Sequence, residues 1–219
     1  MRMHPSPNFG DRRGKRVDLI VLHYTAMASA AEALARLCDP SPEVSAHYLI
    51  DRDGTVFHLV DEAMRAWHAG AGEWGGEGDV NSRSIGIELQ NTGSEPFAEP
   101  QMAALEGLLS DLLGRHALPP RAVIAHSDMA PDRKGDPGAR FDWRRLAAQG
   151  LTVWPTPAEP GDLQADLRAF GYPDAPTDTL LTAFRLRFRP WARGPLDNTD
   201  RALAAGLRRI AVDGGALRA

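Results

Sequence analysis

The heptapeptide "VDLIVLH", Val17–His23, decides how the rest of this 219-residue chain is read. It is short, apolar and rich in β-branched residues, and it stops at a polar residue, which predicts a buried strand. Next comes "ASAAEALARLCD" (28–39), a helix that Pro40 and Pro42 stop. "AHYLIDRDGTVFHLV" (46–60) reads as a hairpin of two β-rich runs around the Asp53-Gly54 turn. "MRAWHAGAGEWGGEGDVN" (64–81) is a Gly-rich loop too long for a tight connection, and long ordered loops are usually functional. "SIGIELQN" (84–91) is another strand. "QMAALEGLLSDLLGRH" (101–116) is an amphipathic helix with Met102, Leu105, Leu108, Leu109 and Leu112 on one face. "RAVIAH" (121–126) is a short strand, and "DWRRLAAQG" (142–150) a last helix. Strands mixed with helices predict an α/β domain in which helices flank a mixed central β-sheet.

"VWPTPAEPGD" (153–162) carries Pro155, Pro157 and Pro160 and reads as a linker. Helical patterns follow near 163–170, 178–188 and 200–212. The expected layout is therefore an N-terminal arm (1–16), an α/β domain (17–150), a Pro-rich linker (151–162) and a small three-helix module (163–219). About sixty residues make a marginal core alone, so that module is expected to pack against the larger domain.

Composition narrows the class. Apolar content of 43% and charged content of 25% are those of a globular protein. A net charge of −4 gives no footprint for nucleic acid. The single cysteine, Cys38, forms no internal disulfide and reads as a buried helix position. The first residues show no apolar signal region, and no run is long enough to span a membrane. The cytoplasm is the expected compartment, with the periplasm as the alternative if an export signal has been removed.

His23 and His126 both end apolar strand runs, and ligands of α/β sheets gather beyond the carboxyl ends of strands. Asp136 closes a turn ten residues after His126. Two imidazoles and a carboxylate leave one tetrahedral position open, the pattern of a catalytic zinc. Spacing leaves a second reading open, in which each histidine is a satisfied core residue. In "SIGIELQ" alternation puts Ile85, Ile87 and Leu89 on one face and Gly86, Glu88 and Gln90 on the other. Glu88 is then either a functional carboxylate, with room beside Gly86 for something to approach, or a solvent-facing one. Lys134 also stands out, because only Lys15 shares its type among 25 basic residues.

Five blocks in order, "IVLHYTA", "VSAHYLIDRDGTVFHLV", "RAWHAG", "NSRSIGIELQN" and "AHSDMAPDRKGDPGARFDW", resemble the zinc-dependent N-acetylmuramoyl-L-alanine amidases of the type 2 family. The resemblance covers roughly residues 15–150 and implies the fold shared with phage lysozyme-type amidases and peptidoglycan-recognition proteins. It implies one zinc ion per chain on His23, His126 and Asp136, with Glu88 as catalytic acid/base and Lys134 beside the scissile carbonyl. Asp rather than Cys at position 136 resembles the bacterial muropeptide-recycling branch. Trp67, His68 and Asn81 would contact substrate, while His47 and His58 would be structural. The implied partners are peptidoglycan fragments, and the implied reaction is hydrolysis of the N-acetylmuramic acid–L-alanine amide, including the 1,6-anhydro form. Two alternatives are a non-catalytic recognition module, which usually lacks a zinc ligand, and an amidase of polymeric wall. Residues 163–219 resemble a peptidoglycan-binding module through "FGY", "AFRLRFRP" and the helix start near Asp197–Thr199.

Overall fold

A computed structural model describes residues 1–216. Its strands are β1 (Arg2–Met3), β2 (Phe9–Gly10), β3 (Leu19–Tyr24), β4 (Tyr48–Ile50), β5 (Val56–His58), β6 (Arg65–Ala66), β7 (Ser84–Leu89) and β8 (Val123–Ala125). Its helices are α1 (Ala30–Cys38), α2 (Val80–Arg83), α3 (Glu99–Arg115), α4 (His126–Met129), α5 (Trp143–Ala148), α6 (Leu163–Phe170), α7 (Thr177–Phe188) and α8 (Asn198–Ala216). The main sheet runs β1-β5-β4-β7-β3-β8, and β2 pairs with β6 separately. β3 is parallel to both β7 and β8, whereas β4 and β5 form the antiparallel hairpin. A mixed sheet flanked by helices is the architecture expected from the sequence.

Alternation along the strands sets the two faces. Ile20, Leu22, Ile85, Ile87 and Leu89 share a core with Met102, Leu105, Leu108, Leu109 and Leu112 of α3 and with Trp143 and Leu146 of α5. Burying each such side chain fully stabilises the fold by about 1.5–3 kcal/mol. On the opposite face, Leu19, Val21 and Ile124 share a core with Leu163 and Leu167 of α6, Phe184 and Phe188 of α7, and Leu207 of α8. The C-terminal helices thus complete the burial of the central sheet. In between, Leu151, Thr152 and Pro155 of the Pro-rich stretch are buried, so this segment lies packed on the protein.

Several boundaries differ from expectation. The strand expected over 121–126 is limited to Val123–Ala125, because a 3-10 turn occupies Pro120–Ala122 and His126 already opens α4. The Gly-rich loop begins in β6 and ends in α2. Within the arm, β1 joins β5 and β2 joins β6. Cys38 ends α1 and is only half-buried. Residues 217–219 of the expected helical module lie outside the described residues. No helix among the described residues is long and apolar enough to cross a membrane.

Candidate metal centre and active site

Register brings the first two groups together. β3 and β7 pair so that Val21 stands opposite Gly86 and His23 opposite Glu88. Both functional side chains therefore project from the same face, at the carboxyl end of a parallel pair. β8 pairs with β3 two residues earlier, Val21 opposite Ile124, so the chain leaves β8 directly into His126 on that side. Asp136 returns to this corner, and its backbone carbonyl accepts the Ser127 N–H at 3.0 Å.

His23 Nδ1 and His126 Nδ1 are 2.9 Å apart, and each lies 3.0 Å from Asp136 Oδ2. All three residues are buried. The tautomers follow from their outer partners. His126 Nε2 is 3.0 Å from the Ala69 carbonyl, which only accepts, so Nε2 carries the proton. The Ser84 hydroxyl donates to the Val80 carbonyl at 2.6 Å, so Ser84 Oγ accepts from His68 Nε2–H at 3.1 Å. His68 Nδ1 then accepts from His23 Nε2–H at 3.0 Å. In neutral imidazoles this leaves both Nδ1 lone pairs directed at each other and at the carboxylate. Three acceptors so close repel one another unless a cation lies among them. Burial lowers His23 to about 4, with the His126 charge next in effect and Asp136 opposing, so His23 itself holds a second proton poorly near neutral pH. The N,N,O donor set fits a divalent metal with zinc-like preferences.

The centre opens into a cavity of about 440 Å³ lined by His23, Tyr24, Arg36, His68, Glu88 and Lys134, among others. Glu88 Oε2 is shielded from solvent and has no hydrogen-bond partner among the described residues. Burial raises the Glu88 carboxyl to about 8; the Asp136 charge adds to this and Lys134 opposes it. The adjacent cations do different jobs. Arg133 donates Nε–H to the Ala71 carbonyl at 2.7 Å and grips Ala69 with Nη2, a use that suits a planar fork. Both line the cavity, and Lys134 does so without such a grip on the loop.

The three residues expected to contact substrate take different places around the cavity. His68 does line the cavity, but its two ring nitrogens are engaged by His23 and Ser84. Asn81 is buried, with Oδ1 accepting the His68 and Ala69 N–H groups at 2.9 and 2.8 Å, so it shapes the loop rather than the cavity wall. Trp67 is absent from the lining, and its indole Nε1 lies beside Gly10 of β2. The space beside Gly86 is taken by His68 itself, as a Cβ there would stand 2.4 Å from His68 Cγ. His47 accepts the Gly86 N–H at Nδ1, and His58 Nε2 meets the Val60 carbonyl, so both stand apart from the metal centre. The Ser84–His68 chain was not legible beforehand. "RAWHAG" and "NSRSIGIEL" each suggested a site, but nothing in sequence joins them.

Comparisons with known proteins place the chain among amidases. The family model described as N-acetylmuramoyl-L-alanine amidase matches residues 13–139. The chain is 35% identical to N-acetylmuramoyl-L-alanine amidase AmiD of Escherichia coli, over 88% of this chain and 82% of that one. The structure of AmiD from E. coli with the substrate anhydro-N-acetylmuramic acid-L-Ala-D-gamma-Glu-L-Lys superposes with a TM-score of 0.81 at 33% identity, covering 92% of this chain and 90% of that one. AmpDh3 from Pseudomonas aeruginosa, in complex with anhydromuramic pentapeptide, also gives 0.81, at 31% identity and 94% coverage of each chain. With the amidase blocks falling on the buried donor triad and the carboxylate beside it, the chain belongs to the N-acetylmuramoyl-L-alanine amidase family.

Proposed function

We propose that this amidase hydrolyses the bond between the lactyl carbonyl of N-acetylmuramic acid, including its 1,6-anhydro form, and L-alanine in soluble peptidoglycan fragments. The observation that carries the reading is the convergence of three buried acceptor atoms beside an unpartnered glutamate on one open cavity. AmiD and AmpDh3 with anhydromuramoyl peptides support the substrate class.

His23, His126 and Asp136 would hold one zinc ion. When bound there, zinc would acidify water and polarise a carbonyl. Glu88 is the residue that moves protons. In its carboxylate form Glu88 accepts a proton from the attacking water, and burial, which raises its carboxyl, favours the protonated form that then delivers the proton to the leaving L-alanine nitrogen. Lys134 supplies a compact ammonium as negative charge grows on the carbonyl oxygen. His68 and Asn81 serve the reaction indirectly, one by fixing the His23 tautomer and the other by fixing the Ala69 carbonyl's loop. The donor set is intact, which favours catalysis over simple recognition. The cytoplasm as the place of reaction belongs to the same proposal, and recovery of the native protein in the periplasmic fraction would move it.

The test incubates zinc-loaded protein with an anhydro-muropeptide and, separately, with intact sacculi, and identifies products by mass. Free peptide and 1,6-anhydro-N-acetylmuramic acid from the soluble fragment are expected. Release of peptide from sacculi alone would reassign the enzyme to polymeric wall.

A further inference from the structure

Asp128 lies two residues after His126 and is completely buried, as is Arg187 near the end of α7. Asp128 Oδ2 accepts the Ala125 N–H at 2.9 Å and a guanidinium N–H of Arg187 at 2.5 Å. Its Oδ1 accepts the Tyr172 hydroxyl at 2.5 Å. Arg187 Nη2 continues to the Val123 carbonyl at 3.1 Å and to Thr152 Oγ1 at 2.9 Å. The guanidinium also lies 4.2 Å from the centroid of the Trp143 ring. Val123, Ala125 and Asp128 bracket His126; Val123 and Asp128 are held by groups from beyond residue 150, and Ala125 is held by Asp128 in turn.

A second connection reaches the other side of His126. Trp74, in the loop that follows Ala69, packs on Phe170 and Tyr172 with ring centroids 5.7 and 5.2 Å away. Gly75 N–H donates to the Gly171 carbonyl at 2.7 Å, and Glu73 N–H to the Met129 carbonyl at 2.9 Å. That same loop presents the Ala69 carbonyl which fixes the proton on His126 Nε2. The C-terminal segment thus holds both the corner that carries this imidazole and the loop that orients it.

We propose that Arg187 and Tyr172 are positioning residues for the metal centre, acting through Asp128 to aim His126 Nδ1. This gives the C-terminal helices a role at the catalytic centre, beyond any capture of glycan. An ion pair serving only to dock one helix onto another would not need to end on the backbone of the ligand's own corner. Without Arg187, Asp128 is a buried charge with its main partner gone, and it moves or draws in water rather than stay in place. Either response loosens the Ala125 cap and the direction of His126. The inference rests on the proposed metal role of His23, His126 and Asp136.

The experiment uses full-length protein stripped of metal. Zinc affinity is measured by chelator competition, and ligand geometry by the visible spectrum of the cobalt(II) form. Wild type is compared with Arg187→Met, with the shape-conserving Tyr172→Phe, and with Arg185→Met. The last breaks a pair inside the C-terminal segment, Arg185 with Asp200, that does not touch the corner. Arg187→Met is expected to weaken zinc binding by about 10–100-fold, the range for outer-sphere partners of metal ligands. Tyr172→Phe should weaken it several-fold, and both should alter the cobalt spectrum while Arg185→Met leaves it unchanged. Folded Arg187→Met and Tyr172→Phe with wild-type affinity and spectrum would overturn the proposal, as would equal weakening by Arg185→Met. If Arg187→Met does not fold, Tyr172→Phe decides alone. Failure of the wild type to bind zinc would instead strike at the donor triad itself.

Discussion

Replacing Gly86 with alanine tests how the centre is assembled without touching any proposed ligand. The new Cβ would stand 2.4 Å from His68 Cγ, 2.5 Å from Cδ2 and 2.7 Å from Nδ1, where 3.4 Å is ordinary contact. The ring or the strand must therefore yield by about 1 Å, the difference between these distances. His68 is tied at both nitrogens, to His23 at 3.0 Å and to Ser84 at 3.1 Å. A shift of that size carries at least one bond past the roughly 3.2 Å at which such bonds are well formed. Loss of an outer partner of a ligating histidine weakens metal binding by about 10–100-fold, or about 1.4–2.7 kcal/mol. Overpacking adds about 1–3 kcal/mol to the loss of metal-free stability. At about 2–4 °C per kcal/mol for a chain of this size, that fall is visible in a melting curve. The assay is chelator competition for zinc together with metal-free Tm, for Gly86→Ala, His68→Ala and the double variant. Once His68 is shortened the Cβ has room, so the second substitution should then cost little. Wild-type zinc affinity in Gly86→Ala, or an undiminished cost in the His68→Ala background, would refute the reasoning.

Glu88→Gln should bind zinc normally yet lose about a hundredfold or more in kcat, since the amide cannot take a proton; near wild-type kcat between pH 6 and 8 would demote Glu88. Lys134→Arg should lower kcat/KM by about a hundredfold at unchanged zinc content, because a guanidinium is too broad for the oxyanion position; full activity would return Lys134 to the solvated loop. His47 supplies a pH test. Burial, followed by the charge of Arg12, lowers its folded value to about 3 from 6.5. The unfolded chain therefore takes up the proton first, so His47's contribution is whole above pH 6.5 and drains away as pH falls toward 3. Its slope is at most about 1.4 kcal/mol per pH unit, and His47→Gln should flatten the metal-free stability curve between pH 6.5 and 4.5 by that amount; parallel curves would count against it.

The parts legible in sequence were those governed by local periodicity. Alternation in "SIGIELQ" separated Ile85, Ile87 and Leu89 from Glu88, and the structure buries the first three against α3. The apolar face of residues 101–116 appears intact as α3. What stayed hidden depends on long-range partners. Asp128 carries no local signal of its role, because its partner Arg187 lies 59 residues away in sequence. Likewise, the closely spaced arginines of "AFRLRFRP" have the composition of a solvated basic stretch, whereas Arg187 within it is fully buried. The Pro-rich stretch has the composition of a spacer, but Thr152 donates to the Val123 carbonyl at 3.2 Å and so belongs to the packed interior. Trp67 and Asn81 illustrate the converse. Both fall in blocks that carry the chemistry, yet Asn81 braces the loop from behind and Trp67 stands beside Gly10 of β2.

Among the described residues β8 is also the last strand of its sheet, with no strand paired to its outer side. Open edges of this kind template pairing between molecules. Here the edge is three residues long, and the Val123 carbonyl is already occupied by Arg187 and Thr152. The guanidinium therefore acts as a guard against self-association. A chain cut short before residue 187 would lose that guard and bare Leu19, Val21 and Ile124 beside it. Solubility is thus tied to the same few contacts at the sheet's edge, and a shortened chain should cluster in solution at concentrations where the full one stays monodisperse.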